Sequence, residues 1–507
     1  MSPNDTFTSP LAERNASKEM LRLWSPRHKF DTWRRIWLAV AQAQHELGLP
    51  VTKQQVDELR GVVERGISDA EIELAKKYER ELRHDVMAHV HTLGDACPKA
   101  RGIIHLGMTS QDVVCNADYC IVHQAMALCS TKVARAAISF GAAASTHATL
   151  PALGFTHYQP AQPVTMGRRI AQWAQELQIV QYRTGMTAFN TSIRGIRGAT
   201  GTQASFLSLA GGNGETVDEV EQRALRAIAS ALLPQTDCVM DELRTPHVFS
   251  LTTQTYPRVI DTFILADLAS AASVLHKIAT DIRLLSNRKE IDEPFEDKQI
   301  GSSAMPYKRN PMRCERICGL TRFVMNLVGN AYDTAATQWL ERTLDDSSNR
   351  RLSLPEAFLA LDGALDLMHN VAGGLIVHEA MVRKNLMAEL PFMATENLLM
   401  ECVKLGGDRQ HYHEIIRQHA QAAGFRVKNE GAENDLLGRL QADPNFASKT
   451  RGGPLTAELN WDGLMDPMTY VGRSVQQTER FIKEVIVPLR ERFEDAIAKL
   501  GESAPKV

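Results

Sequence analysis

Between Thr255 and Leu285 apolar side chains fall at Ile260, Ile264, Ala271, Leu275, Ile278, Ile282 and Leu285. The spacing stays near 3.5 residues for about eight turns. A stripe that long can be hidden only by packing helix against helix, so this stretch predicts a bundle. Similar runs cover Ser110 to Ala148, Val164 to Ser192 and Pro311 to Leu340, and the middle of the chain reads as long antiparallel helices. Aromatic residues are only 6% of the chain, and Ala, Leu, Gln, Glu and Arg run on without β-alternation, which favours helix. The predicted fold class is all-α. At about 150 residues per domain, 507 residues suggest roughly three domains. We expect an N-terminal helical domain over 1–110, a central long-helix bundle with a flexible loop over 111–377, and a C-terminal helical domain over 378–507.

Local signals refine this picture. Asp31 is placed to cap a helix whose apolar face carries Trp33, Ile36, Trp37, Val40 and Leu47 before Gly48 and Pro50 stop it. Capping-box spacings at Thr52/Gln55, Ser68/Glu71 and Thr216/Glu219 mark further helix starts. The short ends, 1–15 and 500–507, read as frayed. The net charge of −3 is spread over mixed-sign surfaces, so the chain is not expected to bind nucleic acid. It holds no uninterrupted apolar run of about 18 residues, and no membrane association is expected. The eight cysteines (Cys97, Cys115, Cys120, Cys129, Cys238, Cys314, Cys318, Cys402) form no CxxC pair, and residues 1–15 have no apolar signal core. Reduced thiols in the cytoplasm are the plain reading.

Chemistry is expected where loops interrupt the helices, and four segments stand out. In Leu82–His91, His84 and His91 fall two turns apart on one helical face, with His89 pointing elsewhere. A metal would need a third ligand, and packing histidines are the plainer alternative. Gly154–Pro160 is a loop with His157 near its middle, a proton-transfer candidate at neutral pH or a surface residue. Gly301–Pro311, GSSAMPYKRNP, combines a hinge glycine, two hydroxyls and the donors Lys308, Arg309 and Asn310 just before a helix starts at Pro311. It suits a carboxylate, or is a linker with incidental charge. Glu341–Arg351 carries three arginines and two serines fit for a phosphate, or for a salt-bridged helix cap.

The GSSxMPxKxNP loop resembles the signature of the fumarase/aspartase superfamily of β-eliminating lyases. With RHDVMAHVH, IIHLGMTSQD, GFTHYQPAQ, GTQASF, ERTLDDSSNRR and ELPFMATEN, the chain resembles the adenylosuccinate lyase family of the animal and fungal type from about residue 20 to 490. The resemblance implies three domains around a central bundle, in a homotetramer whose active sites are shared between subunits. It implies cofactor-free and metal-free elimination of fumarate from two small-molecule substrates: adenylosuccinate, giving AMP, and SAICAR, giving AICAR. Another lyase of the superfamily, such as argininosuccinate lyase, or a catalytically silent structural homologue is the alternative.

By the same resemblance Ser302 matches the general base and His157 the general acid. Lys308 and Asn310 match groups that hold the fumaryl carboxylate, His84 helps to hold substrate, and Glu315 supports His157. Substrate-binding positions carry over to Arg27, His28, Arg83, Asp85, Thr109, Ser110, Gln254, Arg316, Arg342, Ser347 and Arg351. Family members commonly have tyrosine where this chain has His28. An imidazole there is expected to weaken substrate binding above about pH 7 relative to a His28→Tyr variant.

Overall fold

The computed structural model describes residues 5–233, 247–296, 298–447 and 455–501. Helices α1 (Lys18–Leu23), α2 (Pro26–Glu46), α3 (Lys53–Glu64), α4 (Asp69–Leu82) and α5 (Asp85–Ala96) come first. Then follow α6 (Ser110–Thr146), α7 (Met166–Asn190), α8 (Ala204–Leu209), α9 (Gly214–Leu232), α10 (Val259–Asn287), α11 (Met312–Ala336) and α12 (Asp345–Gly373). The chain closes with α13 (Glu379–Met393), α14 (Thr395–Lys404), α15 (Arg409–Phe425), α16 (Leu436–Ala442), α17 (Trp461–Leu464), α18 (Ser474–Phe481) and α19 (Val487–Ala498). Strands are two-residue antiparallel pairs: β1 (Pro151–Ala152) with β4 (Val164–Thr165), β2 (Phe155–Thr156) with β3 (Gln159–Pro160), and β5 (Ile291–Asp292) with β6 (Ile376–Val377). The fold is all-α, as expected.

The stripe on α10 is the centre of the main core: Ile264, Ala271, Leu275, Ile278, Ile282 and Leu285 are buried with residues of α6, α7, α11 and α12. By length and composition α10 would also pass for a membrane span. Its apolar face is spent inside the bundle instead, and its buried Asp261 and Asp267 pair with Arg350 and Arg183. The polar contacts set the helix directions. Asp118–Arg350, Lys132–Asp362, Arg135–Asp366 and Ser139–His369 join α6 to α12 at a near-constant offset, so these two run parallel. Trp173–Asp281 and Arg183–Asp267 make α7 antiparallel to α10. The N-termini of α6, α10 and α12 therefore share one end of the bundle; their C-termini, with the starts of α7 and α11, share the other. The 29 residues of α10 separate those ends by about 43 Å at 1.5 Å per residue.

Among the described residues, two of the smaller cores lie outside the bundle. One joins Trp33, Trp37, Leu59, Leu93 and Val113 to Ile193, Leu225 and Ile228, so α9 packs with the N-terminal helices. The other gathers Leu398, Tyr412, Ile416, Leu436, Phe446 and Leu464. The last helices return to the bundle, where Ile486, Leu489 and Phe493 join its core.

Several local expectations change. The helix at Trp33 starts earlier, capped by Ser25 with Pro26 at its first position, and Asp31 lies inside it, accepting from the Ile67 N–H at 2.7 Å. The capping boxes at Thr52/Gln55 and Ser68/Glu71 form, but α9 is capped by Asn213, whose side chain accepts from the Thr216 N–H. Asparagine directly before Gly214, three residues ahead of Thr216, makes the cap and leaves Thr216 inside the helix. Residues 11–15 are not frayed: they make a wide π-type turn, and the Asn15 backbone sits so close to Gly363 that a Cβ there would lie 2.9 Å from the Asn15 carbonyl oxygen. At the other terminus the Gly501 carbonyl accepts from Arg135, while 1–4 and 502–507 lie outside the described residues. Seven cysteines are free and buried; Cys238 lies outside the described residues.

Two consequences for stability follow. Asp112, fully buried, pairs with the fully buried Arg194 and accepts from the backbone N–H groups of Thr109, Arg197 and Gly198. Asp112→Ala strands a buried guanidinium, so the unfolding free energy should fall by about 3–5 kcal/mol, read as a lower urea midpoint; an unchanged midpoint contradicts this. Burial also pushes His89, His105, His123 and His369 down to about 4 from an ordinary 6.5. Below pH 6.5 the unfolded chain takes up protons that the folded chain refuses until about pH 4. Stability is therefore full above 6.5 and is lost as pH falls toward 4. The urea midpoint should drop clearly between pH 7 and pH 5, and a flat profile would contradict the burial of these rings.

Candidate active site

The expected site residues fall into two groups, one at each end of the bundle. At the end where α6, α10 and α12 begin, His84 caps α5, its Nδ1 accepting from the Met87 N–H at 3.3 Å, while its Nε2 lies 3.5 Å from Ser110 Oγ. Asp85 accepts from Arg351 at 2.7 Å. Burial raises the Asp85 pKa, but Arg351 and the Val86 N–H outweigh it and hold the carboxyl below its ordinary value. Arg342 donates to Gln254 Oε1 at 3.2 Å and to Ser347 Oγ at 2.9 Å. Four distant chain segments thus bring His84, Asp85, Ser110, Gln254, Arg342, Ser347 and Arg351 together, with Thr109 tied beneath them by its N–H to Asp112.

Helical spacing on α12 divides the arginines of this group. Asp346 and Arg350, one turn apart, face inward: Asp346 pairs with Arg258, and Arg350 with Asp261 and Asp118. Ser347 and Arg351, also one turn apart, face the open side. Both readings of this segment therefore hold, on different faces of one helix. Arg350 is fully engaged by inward carboxylates, whereas Arg342, which also reaches Asp346 at 3.3 Å, and Arg351, paired with Asp85, border the open side where an anion can reach them. The pair His84 and His91 does not share a face, because His84 precedes the helix and His91 lies against Tyr78. His89 is buried between Phe30 and Trp33. Among the described residues no three His, Cys, Asp or Glu side chains are arranged to hold a metal.

At the opposite end His157 and Tyr158 form the tip of the β2–β3 hairpin, with φ of 53° and 56°. Two positive φ values in succession make the I′-type turn that hairpins favour, usually built with Asn-Gly. Non-glycine residues there cost on the order of 1–3 kcal/mol each. The exposed imidazole is thereby held away from the helices. The hairpin is anchored at Phe155, whose ring lies 4.7 Å from the Arg288 guanidinium carbon and 5.8 Å from that of Arg169.

The loop between α10 and α11 closes at its neck. Asn310 donates from Nδ2 to the Gly301 carbonyl at 2.9 Å. A Cβ at Gly301 would lie 2.2 Å from the Lys308 carbonyl oxygen, so only glycine fits there. Half-buried Ser302 accepts from the Met305 N–H at 3.1 Å, and Lys308 extends from an exposed position six residues on. The helix begins at Met312, one residue after Pro311. Glu315 faces Arg283, 3.9 Å away, and within one chain has no bond to His157.

The lyase family profile matches residues 13–326, and the profile described as the adenylosuccinate lyase C-terminus matches residues 391–481. In three dimensions the chain is similar to a fumarate lyase from Mesorhizobium sp. BNC1, with TM-score 0.74 and 21% identity over 94% of this chain and 99% of that one. A 3-carboxy-cis,cis-muconate lactonizing enzyme from Pseudomonas putida gives TM-score 0.74 and 24% identity over 96% and 99%. These two establish the fold. In sequence the chain is 45% identical to an adenylosuccinate lyase of Saccharomyces cerevisiae over 98% of this chain and 99% of that protein. The chain belongs to the adenylosuccinate lyase family. A second member, from Schizosaccharomyces pombe, is also 45% identical, over 97% of this chain and 98% of its own length.

Within this adenylosuccinate lyase fold some expected residues stand apart. Arg27 is committed to the Ile67 carbonyl and to Asp69. Arg83 sits in the left-handed region, with φ of 54°, ending α4 next to His84. Arg316 lies close enough to Arg14 and Arg313 for the like charges to add to burial in lowering its pKa. Arg14 was missed because 1–15 read as a loose end; its signal was the apolar Leu11 three residues earlier, which anchors the turn on the core. His28 Nε2 faces the Gln124 amide oxygen at 2.7 Å, and burial, together with Arg22 and Arg35, lowers its pKa from 6.5 despite that bond. The ring is therefore neutral throughout pH 7 to 8. The ratio of Michaelis constants between wild type and His28→Tyr should be flat there and change only at lower pH, so that the trend expected from sequence keeps its sign but moves below neutrality; a ratio that climbs above pH 7 contradicts the half-buried, Gln124-bound geometry.

Proposed function

We propose that this lyase cleaves fumarate from adenylosuccinate to give AMP, and from SAICAR to give AICAR. The observation that carries this reading is the 45% identity to yeast adenylosuccinate lyase over essentially the whole of both chains. In the proposed reaction Ser302 Oγ takes the proton from the carbon beside a succinyl carboxylate. The electron pair moves onto that carboxylate, facing Lys308, then forms the new C=C bond as the C–N bond breaks. The nitrogen leaves with the C–N pair and takes its proton from His157. The donors around Arg342, Ser347 and Arg351 suit a phosphate, and the Arg14–Arg316 pair supplies a second concentration of positive charge that favours an anion.

The placement of the two groups supports shared sites in a homotetramer. Ser302 and His157 lie beside the start of α11, whereas Arg342 follows its end, and 25 residues of helix set these about 37 Å apart. A nucleotide-sized substrate cannot touch both within one chain. Exposed Ile179 and Tyr182 on α7, Phe263 on α10 and Phe323 and Tyr332 on α11 supply apolar surface for such an assembly. Three domains divided near residues 110 and 377 accord with the three main cores, with α9 joining the first. Free buried thiols suit the cytoplasm.

The test is incubation of the purified protein with adenylosuccinate and chromatography of the products. Equimolar AMP and fumarate are expected. A folded protein that leaves adenylosuccinate intact defeats the proposal.

A further inference from the structure

A cavity of about 310 Å³ lies between the start of α2, α6 and α12, behind the group around Arg351. Trp24, Phe30, Ile121, Val122 and Leu354 give it apolar walls, and its charged lining is Lys29, Arg350, Arg351 and the Asp118 carboxylate, the last paired with Arg350. The volume falls at the lower end of the range for small-molecule pockets.

The cations are not equivalent. Arg350 is engaged by Asp118 and Asp261, and Arg351 by Asp85. The Lys29 ammonium rests 5.0 Å from the Trp33 ring centroid and 5.7 Å from that of Phe30, and among the described residues it makes no hydrogen bond or ion pair. A half-buried lysine held beside aromatic rings without a contact counter-ion has given up part of its hydration, which an anion or water can return. Burial lowers its pKa even though Asp118 and Asp85 act in the opposite sense.

We propose that this cavity is a binding site for a small monoanion with a flat apolar body, such as an aromatic carboxylate, with Lys29 as its counter-ion. The rings of the ligand would replace water against Trp24, Ile121 and Val122, and its carboxylate would meet Nζ of Lys29. Ser347 and Arg351 border both this cavity and the proposed substrate group, so an occupant touches the substrate group from behind.

The experiment is calorimetric titration of the full-length protein with 1-naphthoate, beside the neutral analogue 1-naphthalenemethanol. Saturable naphthoate binding is expected, weakened about tenfold by Lys29→Met or by the neutral analogue, and lost in Val122→Trp, which fills the cavity. Thermal melting confirms that each variant is folded, and Lys29→Met keeps the test open if Val122→Trp is not. Absence of saturable binding, equal binding by the Lys29→Met variant, or complete displacement by saturating AMP overturns the proposal. Because binding is read directly, the result does not depend on turnover of adenylosuccinate.

Discussion

Replacing Ser302 by alanine is expected to lower the turnover of adenylosuccinate by about a thousandfold, with the Michaelis constant and melting temperature close to wild type. The spared stability follows from the local structure. The hydroxyl is half-buried, and its one bond accepts from the Met305 N–H within a loop whose neck is held separately by Asn310. Losing such a bond costs about 1 kcal/mol or less. The loss in rate follows from the chemistry. An ordinary serine hydroxyl ionises only far above neutrality, and each pKa unit of that gap costs about 1.36 kcal/mol, so a serine base must be supported by donors. The Met305 N–H already points at Oγ, favouring its anionic form, and Lys308 extends from the same loop. A closed loop that excludes water would strengthen both. Steady-state kinetics of the two proteins decides the matter: a variant that retains most of its turnover would move the base elsewhere.

The bundle was legible because its signal is long. Eight turns of stripe on α10 leave no other way to bury Ile264 to Leu285, and the four helices foreseen in the middle of the chain are observed within a few residues. Short signals were less secure. Asp31 looked like a cap because a carboxylate can serve one, yet Ser25 followed by Pro26 made the better start and freed Asp31 to hold Ile67. For α12 the sequence reading covers only the first turn, where Asp346 and Arg350 are buried by pairing with opposite charges from other segments, and Asp362 does the same further along. The apolar period of α12 lies only in its later turns, where Leu354, Phe358, Leu361, Leu365 and Met368 enter the main core. The group around His84 was legible as residues but not as an arrangement, since Asp85 meets Arg351 across 266 positions of sequence. The neutral, Gln124-bound state of His28 depends on burial by α6, which its own segment does not disclose.

The separation of the two groups leads to the second large effect. If each site draws His84 and its neighbours from one chain and Ser302 from another, two inactive variants repair one another when mixed. Ser302→Ala breaks one end of the bundle; His84→Asn breaks the other while retaining a side chain able to cap α5. In an equal mixture with exchanged subunits, a site is intact when both its contributing chains carry the right half. That happens for about a quarter of sites, the product of two one-half chances in a symmetric assembly. Sites built wholly within one chain would never be repaired, because every chain in the mixture carries a lesion. The measurement that tests this architecture most directly is therefore adenylosuccinate turnover by the co-expressed pair of variants. Activity rising to about a quarter of wild type, far above either variant alone, is the predicted result. Activity no greater than the sum of the separate variants would contradict a site assembled from opposite ends of different chains.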